Sequence, residues 1–449
     1  MNYYVNPNSE KSIELGTKEY PFRNINLVLN EIYNEHQHTD RNLSIYVMEN
    51  TDNYLPKNFI QIFNVTQVNI DSYTDNQFYE AQKTNFIIID SIENINLITK
   101  KSLLTLIQNI DKSDLDTSRM SEHEINQLVP QNSTVFHIHR SSLSLNNINI
   151  YSEFSDDNNE SVNFVLTTYC FEKTHRFSNI YSDVKSGTTY RNIYATTSIH
   201  AENITLNMTQ ANSGFLYSSS CDFEGDSNLA NHFYSNFYAF TEEEKQLELG
   251  ILNIAGSCNA TVSNFRIGTF LKSISSTAVL EFSSNPLCLP QDDELQYYQL
   301  DNISLITSEN TTNEKSGLVA FVTPSGSTRH YQYTFRDSIF DSMANNHEYI
   351  LMFIGQSIED VTISNITLSN SQITLSGFEF YMLNSLIIDG ISLTSNIINS
   401  DFLLQINSSI SATVNNILLD NNTLISTAKL TSVIGYSFSV SFSNVSVQN

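Results

Sequence analysis

The sequence predicts an all-β fold, a single-stranded right-handed parallel β-helix of roughly 14 coils, with three short strands per coil and a short N-terminal capping helix. Three observations predict it: a recurring phrase, strand-like patterns between the phrases, and a variable coil length. The phrase is Asn, Gly or Ser followed by a branched apolar residue, a small polar residue and another apolar residue. Repeats of this kind stack into a solenoid with one continuous core.

The phrase is clearest in the last hundred residues, where its anchors at 365, 390, 416 and 444 lie 25, 26 and 28 residues apart. We predict that the anchors form a structural ladder along one corner of the solenoid. Asn tolerates a left-handed backbone and bonds to the Asn of the next coil, and Gly also fits a left-handed corner. The predicted ladder consists of Asn147, Asn179, Asn203, Asn236, Asn264, Asn302, Asn365, Gly390, Asn416 and Asn444.

Two solenoids have repeats of this length, the leucine-rich repeat and the right-handed parallel β-helix. Residues 388–398 match the leucine-rich consensus. A leucine-rich repeat requires a helix or a 3₁₀ turn in each repeat, whereas here the remainder of each coil reads as strands, for example 377–382 and 401–406. The varying coil length, which outward loops of a β-helix accommodate, also favours the β-helix.

The pattern divides the chain into segments. Residues 1–15 are predicted to be an N-terminal extension, 16–40 a cap with a short amphipathic helix, and 41–449 the parallel β-helix. A helical insertion is predicted at 99–131, where a capping-box pattern follows a stretch with helical apolar spacing. The C-terminus stops inside a strand phrase, so either the chain is a fragment of a longer protein or its last coil pairs with a partner.

Charge and hydropathy exclude two classes of partner. The chain has 22 basic and 48 acidic residues and a net charge of −26, which opposes nucleic-acid binding. No apolar run approaches the roughly 18 to 20 residues that a bilayer span requires, so we predict no membrane span within this chain. The first residues lack the pattern of a signal peptide.

The four cysteines are Cys170, Cys221, Cys258 and Cys288, too few and too widely spaced for a disulfide scaffold or a Cys-x-x-Cys metal site. Buried free thiols are therefore the expectation. Two disulfide bridges are the alternative, because consecutive coils bring residues one repeat apart within bonding distance. The cysteines alone do not decide the redox compartment.

The N-terminal sequence Gly16-Thr17-Lys18-Glu19-Tyr20-Pro21-Phe22 resembles the G-T-x-x-x-P-F entry of right-handed parallel β-helix proteins of the pectin-lyase-like type. The resemblance covers essentially the whole chain. Its Asn-rich, Gly-poor form resembles segments of the large repeat-bearing cell-surface proteins of single-celled eukaryotes. This resemblance implies an extracellular or cell-surface, membrane-associated glycoprotein. The number of sequons is close to what composition alone gives, and Asn159 and Asn310, on loops, are the candidate glycosylation sites to test.

The same resemblance raises the hypothesis of a polysaccharide lyase or hydrolase, whose residues must be found one by one. Gln291-Asp292-Asp293 matches one fragment of the hydrolase motif, but no N-T-D lies one coil upstream of it, no H-G follows it and the chain has no R-I-K. The acidic doublets Asp156-Asp157 and Asp292-Asp293 lack partners one coil away, so at most weak Ca²⁺ binding is expected. His137 and His139 share one face of a strand without a third ligand. We therefore predict no catalytic, cofactor-binding or metal-binding residues.

Together these patterns predict a non-catalytic surface or extracellular scaffold that binds protein or glycan ligands. Two alternatives stay open. The first is a polysaccharide lyase or hydrolase of the pectin-lyase-like fold. The second is an assembly protein that makes end-to-end contact through its open C-terminal coil.

Overall fold

The computed structural model confirms an all-β parallel β-helix. It divides into two compact units, Met1–Ala195 (unit 1) and Thr196–Asn449 (unit 2). The structure describes residues 1–28, 31, 42–56, 58–63, 67–76, 79, 81–89, 133–139, 141–153, 162–168, 173–184, 187–193, 197–208, 213–218, 231–240, 245–247, 251–268, 271–274, 278–284, 296–306, 316–323, 330–342, 347–356, 359–373, 376–399, 402–425, 431–434 and 439–448.

Unit 1 contains two parallel sheets. Its strands are β1 (Asn2–Val5), β2 (Asn42–Met48), β3 (Asp52–Pro56), β4 (Asn58–Phe63), β5 (Gln67–Tyr73), β6 (Thr84–Ile89), β7 (Ser133–His139), β8 (Ser142–Glu153), β9 (Val162–Thr168), β10 (Lys173–Asp183) and β11 (Gly187–Ile193). The first sheet has the order β1-β2-β5-β8-β10, and β3-β6 adds to it through β8. The second sheet has the order β4-β7-β9-β11.

Unit 2 repeats this arrangement. Its strands are β12 (Thr197–Asn207), β13 (Ser213–Ser218), β14 (Asn231–Phe240), β15 (Lys245–Leu247), β16 (Leu252–Ser257), β17 (Asn259–Gly268), β18 (Leu271–Ile274), β19 (Ala278–Ser284), β20 (Gln296–Ile306), β21 (Ser316–Val322), β22 (Tyr331–Asp341), β23 (His347–Ile354), β24 (Asp360–Ser369), β25 (Gln372–Ile373), β26 (Ser376–Tyr381), β27 (Ser385–Thr394), β28 (Ile397–Ile398), β29 (Phe402–Asn407), β30 (Ser411–Asp420), β31 (Thr423–Leu424), β32 (Thr431–Ile434) and β33 (Ser439–Gln448). The first sheet follows β12-β14-β17-β20-β22-β24-β27-β30-β33, and the second follows β13-β16-β19-β21-β23-β26-β29-β32.

The long strands of the first sheet are bent, and each bend is a single residue with a positive φ. In β24 the residues before the bend, Val361 and Ile363, are buried, and so are Ile366 and Leu368 after it. Asn365, with φ of +53°, separates these two arms. Because side chains alternate between the faces of a strand, the extra residue at the bend restores the phase and keeps both arms apolar on the inside. Two of the three predicted strands of a coil therefore merge into one bent strand.

Aromatic side chains form a continuous stack on the buried side of the second sheet of unit 2. The rings of Phe282 and Phe321 lie 5.0 Å apart, those of Phe321 and Phe353 4.5 Å, and those of Phe353 and Phe380 5.7 Å, all with interplanar angles of 17° or less. These four residues are at most 2% exposed. In-register parallel pairing places like residues above one another, and each buried ring contributes roughly 1.5–3 kcal/mol.

The N-terminal segment closes the first coil of unit 1. Strand β1 lies within the predicted extension and pairs with β2, and Val5 forms an isolated parallel bridge with Phe22. Residues 25–28 and 31 are helical, and Asn24 caps this helix by accepting a hydrogen bond from the Leu27 amide at 3.1 Å. The predicted insertion at 99–131 lies outside the described residues.

Strand β33 lies at the edge of the first sheet: it pairs with β30, and no described strand pairs with its other edge. Phe442, Val445 and Val447 continue inward rows of the core, yet they are 41%, 42% and 64% exposed because no described strand covers them. End-to-end contact through this coil stays a prediction. Over the ranges given above, no helix has the length and apolarity to cross a membrane.

Candidate functional site

All ten predicted ladder residues occupy corners of the bent strands. The nine asparagines have φ between +52° and +56°, and Gly390 has φ of +97°. This left-handed region is costly for most residues, and Asn is among the few that adopt it routinely. Asp337, with φ of +54°, occupies the corner of β22.

Hydrogen bonds along the ladder run in one direction, from each Asn Nδ2 to the Oδ1 of the preceding coil. Such bonds join Asn179 to Asn147 at 3.1 Å, Asn236 to Asn203 at 3.1 Å, Asn264 to Asn236 at 3.0 Å, Asn302 to Asn264 at 2.7 Å and Asn444 to Asn416 at 3.1 Å. The side-chain amides bond to one another, which gives these residues a structural function.

Two positions interrupt the chain of amides. Asp337 accepts a bond from Asn365 Nδ2 at 3.0 Å but, as a carboxylate, has no N–H to donate to the coil before it. Gly390 has no side chain, and Asn416 Nδ2 donates to Asp389 Oδ1 instead. The ladder is therefore a series of shorter runs.

Several other predicted residues lie outside the described ranges. They are Asp156, Asp157, Asp292, Asp293, Asn159 and Asn310, whose predicted properties stay predictions. His137 and His139 belong to β7, but their side chains are not described. Among the described side chains, no three or more His, Cys, Asp or Glu are grouped to hold a metal ion. Weak Ca²⁺ binding also stays a prediction.

Cys258 departs from the expectation of free thiols. It is disulfide-bonded and only 1% exposed. Neighbouring coils stack at about 4.8 Å, which falls within the separation of Cα atoms that a disulfide bridges. The expectation of a free thiol is therefore wrong for Cys258; Cys170, Cys221 and Cys288 lie outside the described residues.

Unit 1 presents an outward surface of tyrosine, amide and carboxylate side chains on four adjacent strands, β3, β6, β8 and β10. We call it the tyrosine–carboxamide face. Backbone register aligns its side chains in two rows. The first row is Asp52, Asn85, Asn149 and Tyr181, and the second row is Tyr54, Ile87, Tyr151 and Asp183.

The first row is joined by side-chain hydrogen bonds. Asn85 Nδ2 donates to Asp52 Oδ1 at 2.7 Å, and Asn149 Nδ2 donates to Asn85 Oδ1 at 2.9 Å. Each amide uses one of its two N–H groups in this chain, and the Asp52 carboxylate ends it with acceptor capacity to spare. The row therefore offers donors and acceptors side by side.

Tyrosines of both rows supply the aromatic surface. The rings of Tyr151 and Tyr181 lie 5.7 Å apart at 47°, and Tyr54 is 54% exposed. Ile87, between Tyr54 and Tyr151 in the register, is only 7% exposed.

Burial raises the pKa of Tyr151, and the charges of Asp183 and Asp52 raise it further. A tyrosine with a pKa above its usual value of about 10 keeps its phenolic proton at neutral pH. Tyr151 therefore presents a phenolic O–H donor on this face.

The two carboxylates of the face, Asp52 and Asp183, are far apart. Asp52 and Asp183 lie on strands three steps apart, or about 14 Å along the sheet. Glycosidases hold their two carboxyl groups about 5 to 9.5 Å apart. The two aspartates do not have the spacing of such a pair.

Sequence reasoning missed this face. The sequence nevertheless contains pairs of polar or aromatic residues separated by two positions: Asp52 with Tyr54, Asn149 with Tyr151, and Tyr181 with Asp183. Such pairs point to the same side of a strand. Only the register between distant strands shows that the pairs are neighbours.

No protein-family model matches this chain, and no curated protein matches it. Solved structures do. The native GH136 lacto-N-biosidase from Eubacterium ramulus is 7% identical, with a TM-score of 0.44, over 98% of this chain and 67% of that chain. Its selenomethionine derivative is 10% identical, with a TM-score of 0.38, over 97% and 68%. A rhamnogalacturonan lyase is 10% identical, with a TM-score of 0.34, over 98% and 86%.

These neighbours are named as a biosidase and a lyase, which are enzymes. Our expectation of a protein that catalyses nothing is contradicted by this finding and is withdrawn. The identities of 7% to 10% are too low to assign this chain the activity of any of these proteins. The parallel β-helix fold that the sequence predicted is shown by the chain's own parallel sheets.

Proposed function

We propose that the chain recognises glycans and that the tyrosine–carboxamide face of unit 1 is a binding surface for them. The observation that carries the proposal is the Tyr151–Tyr181 pair beside the Asp52–Asn85–Asn149 chain of hydrogen bonds. Aromatic rings pack against the C–H face of a sugar ring, while amide and carboxylate groups bond to its hydroxyls. One surface offers both kinds of contact.

A rigid scaffold supports this proposal. The four strands are held together by parallel pairing. Residues on the inner side of these strands, such as Phe86 and Ile150, are fully buried. A surface on regular strands loses little conformational entropy when a ligand binds. The face therefore needs no large rearrangement to hold a sugar.

We also propose an extracellular or cell-surface location. Its support is the disulfide bond of Cys258, since disulfides persist in oxidising compartments and are rare in the cytosol. Peptide mapping with and without reduction, on protein purified from its native host, tests this proposal. Recovery of Cys258 as a free thiol under non-reducing conditions would contradict it.

The glycan proposal is tested by measuring glycan binding to the full chain and to two tyrosine variants. We expect Tyr151→Ala to weaken binding about tenfold or more, because it removes one ring of the pair and a donor. Tyr79→Ala is the matched control, since Tyr79 lies in unit 1, is 73% exposed and is not part of the face. Circular dichroism and the denaturation midpoint check that each variant is folded.

Two outcomes would contradict the proposal. One is the absence of binding to every glycan on an array that spans the common plant, microbial and animal linkages. The other is an equal loss of binding in Tyr151→Ala and Tyr79→Ala. The same mixtures are assayed for new reducing ends, so cleavage of a bound glycan is detected in the same experiment.

A further inference from the structure

We infer that unit 2 carries a second, separate surface for glycans, formed by outward side chains of β12, β14, β17 and β20. The inference rests on the proposed glycan recognition and adds a binding site that the tyrosine–carboxamide face does not include. We call this surface the phenylalanine–carboxamide face. Its residues are His200, Asn231, Phe233, Asn259 and Tyr297.

A chain of hydrogen bonds orders the polar part of this face. The Tyr297 backbone N–H donates to Asn259 Oδ1 at 2.9 Å, and Asn259 Nδ2 donates to Asn231 Oδ1 at 2.8 Å. The Asn231 backbone N–H donates to Ser198 Oγ at 3.1 Å. Because a backbone N–H can only donate, the side-chain oxygen of Asn259 must point to Tyr297, which fixes the orientation of both side-chain amides.

The two amides keep hydrogen-bonding capacity for a ligand. Asn231 is exposed, and neither N–H of its Nδ2 has a partner among the residues whose structure is described. Asn259 uses one N–H of its Nδ2 in the bond to Asn231 and keeps the other. These N–H groups can donate to sugar hydroxyls, and the second lone pair of Asn231 Oδ1 can accept from them.

Stacked rings lie beside this row of amides. The rings of His200 and Phe233 are 4.6 Å apart at an interplanar angle of 21°, and both side chains are half-buried. Phe233 lies two residues after Asn231, so both side chains project from the same side of β14. A carboxylate oxygen of Glu202, an acceptor for sugar hydroxyls, lies 3.7 Å from His200 Nε2. The pair therefore offers an apolar surface to the C–H face of a sugar, next to donors and an acceptor.

The scaffold under this face is fixed. Ile199 and Tyr234, on the inner side of β12 and β14, are at most 1% exposed, and so is the disulfide-bonded Cys258 immediately before Asn259. Side chains on such strands lose little conformational entropy when a ligand binds. A row of hydrogen-bonded amides beside two neighbouring rings also occurs in unit 1, so one class of ligand suits both faces.

The experiment counts binding sites by calorimetric titration of the full chain. The probes are four neutral tetrasaccharides, cellotetraose, xylotetraose, mannotetraose and chitotetraose, because the net charge of −26 would oppose an anionic probe. For a probe that binds, we expect two sites per chain. Tyr151→Ala, which alters only the face of unit 1, should leave one site.

Phe233→Ala and Tyr297→Ala test the second face. Each should weaken its site about tenfold or more, because each removes a ring from the packing surface. Tyr297 is 44% exposed, so its truncation leaves the core intact. Phe442→Ala, 41% exposed on β33 of the same unit, is the matched control and should keep both sites. Circular dichroism and the denaturation midpoint check that each variant is folded.

The outcomes separate the two proposals. A single site that Tyr151→Ala abolishes and Phe233→Ala leaves intact overturns the inference but leaves the proposed function standing. Two sites that neither Phe233→Ala nor Tyr297→Ala weakens also overturn it, as does an equal loss in Phe442→Ala. A single site that Phe233→Ala abolishes and Tyr151→Ala leaves intact supports the second face and contradicts the face of unit 1. If none of the probes binds, both proposals are overturned.

Discussion

The ladder at the corner of the bent strands is predicted to stabilise the fold through two separable effects, and Asn264 allows them to be measured. Its Nδ2 donates to Asn236 Oδ1 at 3.0 Å, and its Oδ1 accepts from Asn302 Nδ2 at 2.7 Å. Its φ is +52°. One effect is the pair of hydrogen bonds, and the other is the tolerance of Asn for this backbone conformation.

The magnitudes follow from these contacts. The two bonds are solvent-exposed, so each contributes near the low end of about 0.5–1.5 kcal/mol, or about 1 kcal/mol together. A residue with a Cβ pays roughly 1–2 kcal/mol in the left-handed region. We expect Asn264→Ala to lower the free energy of unfolding by about 2–3 kcal/mol. Asn264→Gly loses the same bonds without the steric cost and should be about 1 kcal/mol less destabilised.

Equilibrium urea denaturation, with m-values compared between variants, measures both changes. Ser263→Ala, one residue earlier on the same strand, is the control and should change stability by less than about 0.5 kcal/mol. Equal destabilisation by Ala and Gly would refute the conformational part of the reasoning. An Ala variant as stable as the control would refute the ladder as a source of stability.

Three further predictions concern packing and pH. Phe321→Ala, in the middle of the phenylalanine stack, should cost about 3–5 kcal/mol in chemical denaturation, because it leaves a cavity between two rings. Gly16→Ala should destabilise the cap by about 2 kcal/mol or more, since its φ is +69° and a Cβ would overlap the Phe22 ring; proteolysis of the N-terminal segment should then accelerate. Burial, with the charges of Asp75 and Tyr4, raises the pKa of Tyr73 to about 12, so its stabilising contribution is complete below about pH 10 and is lost as the pH rises toward 12. Tyr73→Phe should therefore show a shallower loss of stability over that range, and an unchanged alkaline profile would contradict this assignment.

The corners of unit 2 were predictable because each is a local feature. An Asn with apolar residues on both sides, such as Asn365, indicates a left-handed bend between two half-buried arms of a strand. The same pattern recurs in the neighbouring coils. The start of unit 1 was harder to predict. The sequence Ile62-Phe63-Asn64-Val65 also fits the repeated phrase, but its first two residues belong to β4 of the second sheet. The left-handed residue between β2 and β3 is Asn50, with φ of +53°.

The tyrosine–carboxamide face was not predictable for a different reason. It depends on the pairing of Asp52 with Asn85 and of Asn85 with Asn149, which are 33 and 64 residues apart. A local pattern shows that Asp52 and Tyr54 share one side of a strand, but it does not show which strand lies beside them. The longest interruption of the repeat lies between Asn85 and Asn149. The sequence therefore does not show that β6 pairs with β8, or in which register.

A corner made of one residue also determines where evolution and engineering can lengthen this chain. Strands β24, β27, β30 and β33 all have ten residues with the corner at the sixth, although the intervening segments differ in length. A residue added at the corner would reverse the inside and outside of one arm, whereas a residue added between the bent strand and the second sheet would leave both arms in phase. Homologues should therefore differ in length at those junctions, and the same junctions are the sites for grafting peptides, reporter tags or new binding loops onto the scaffold.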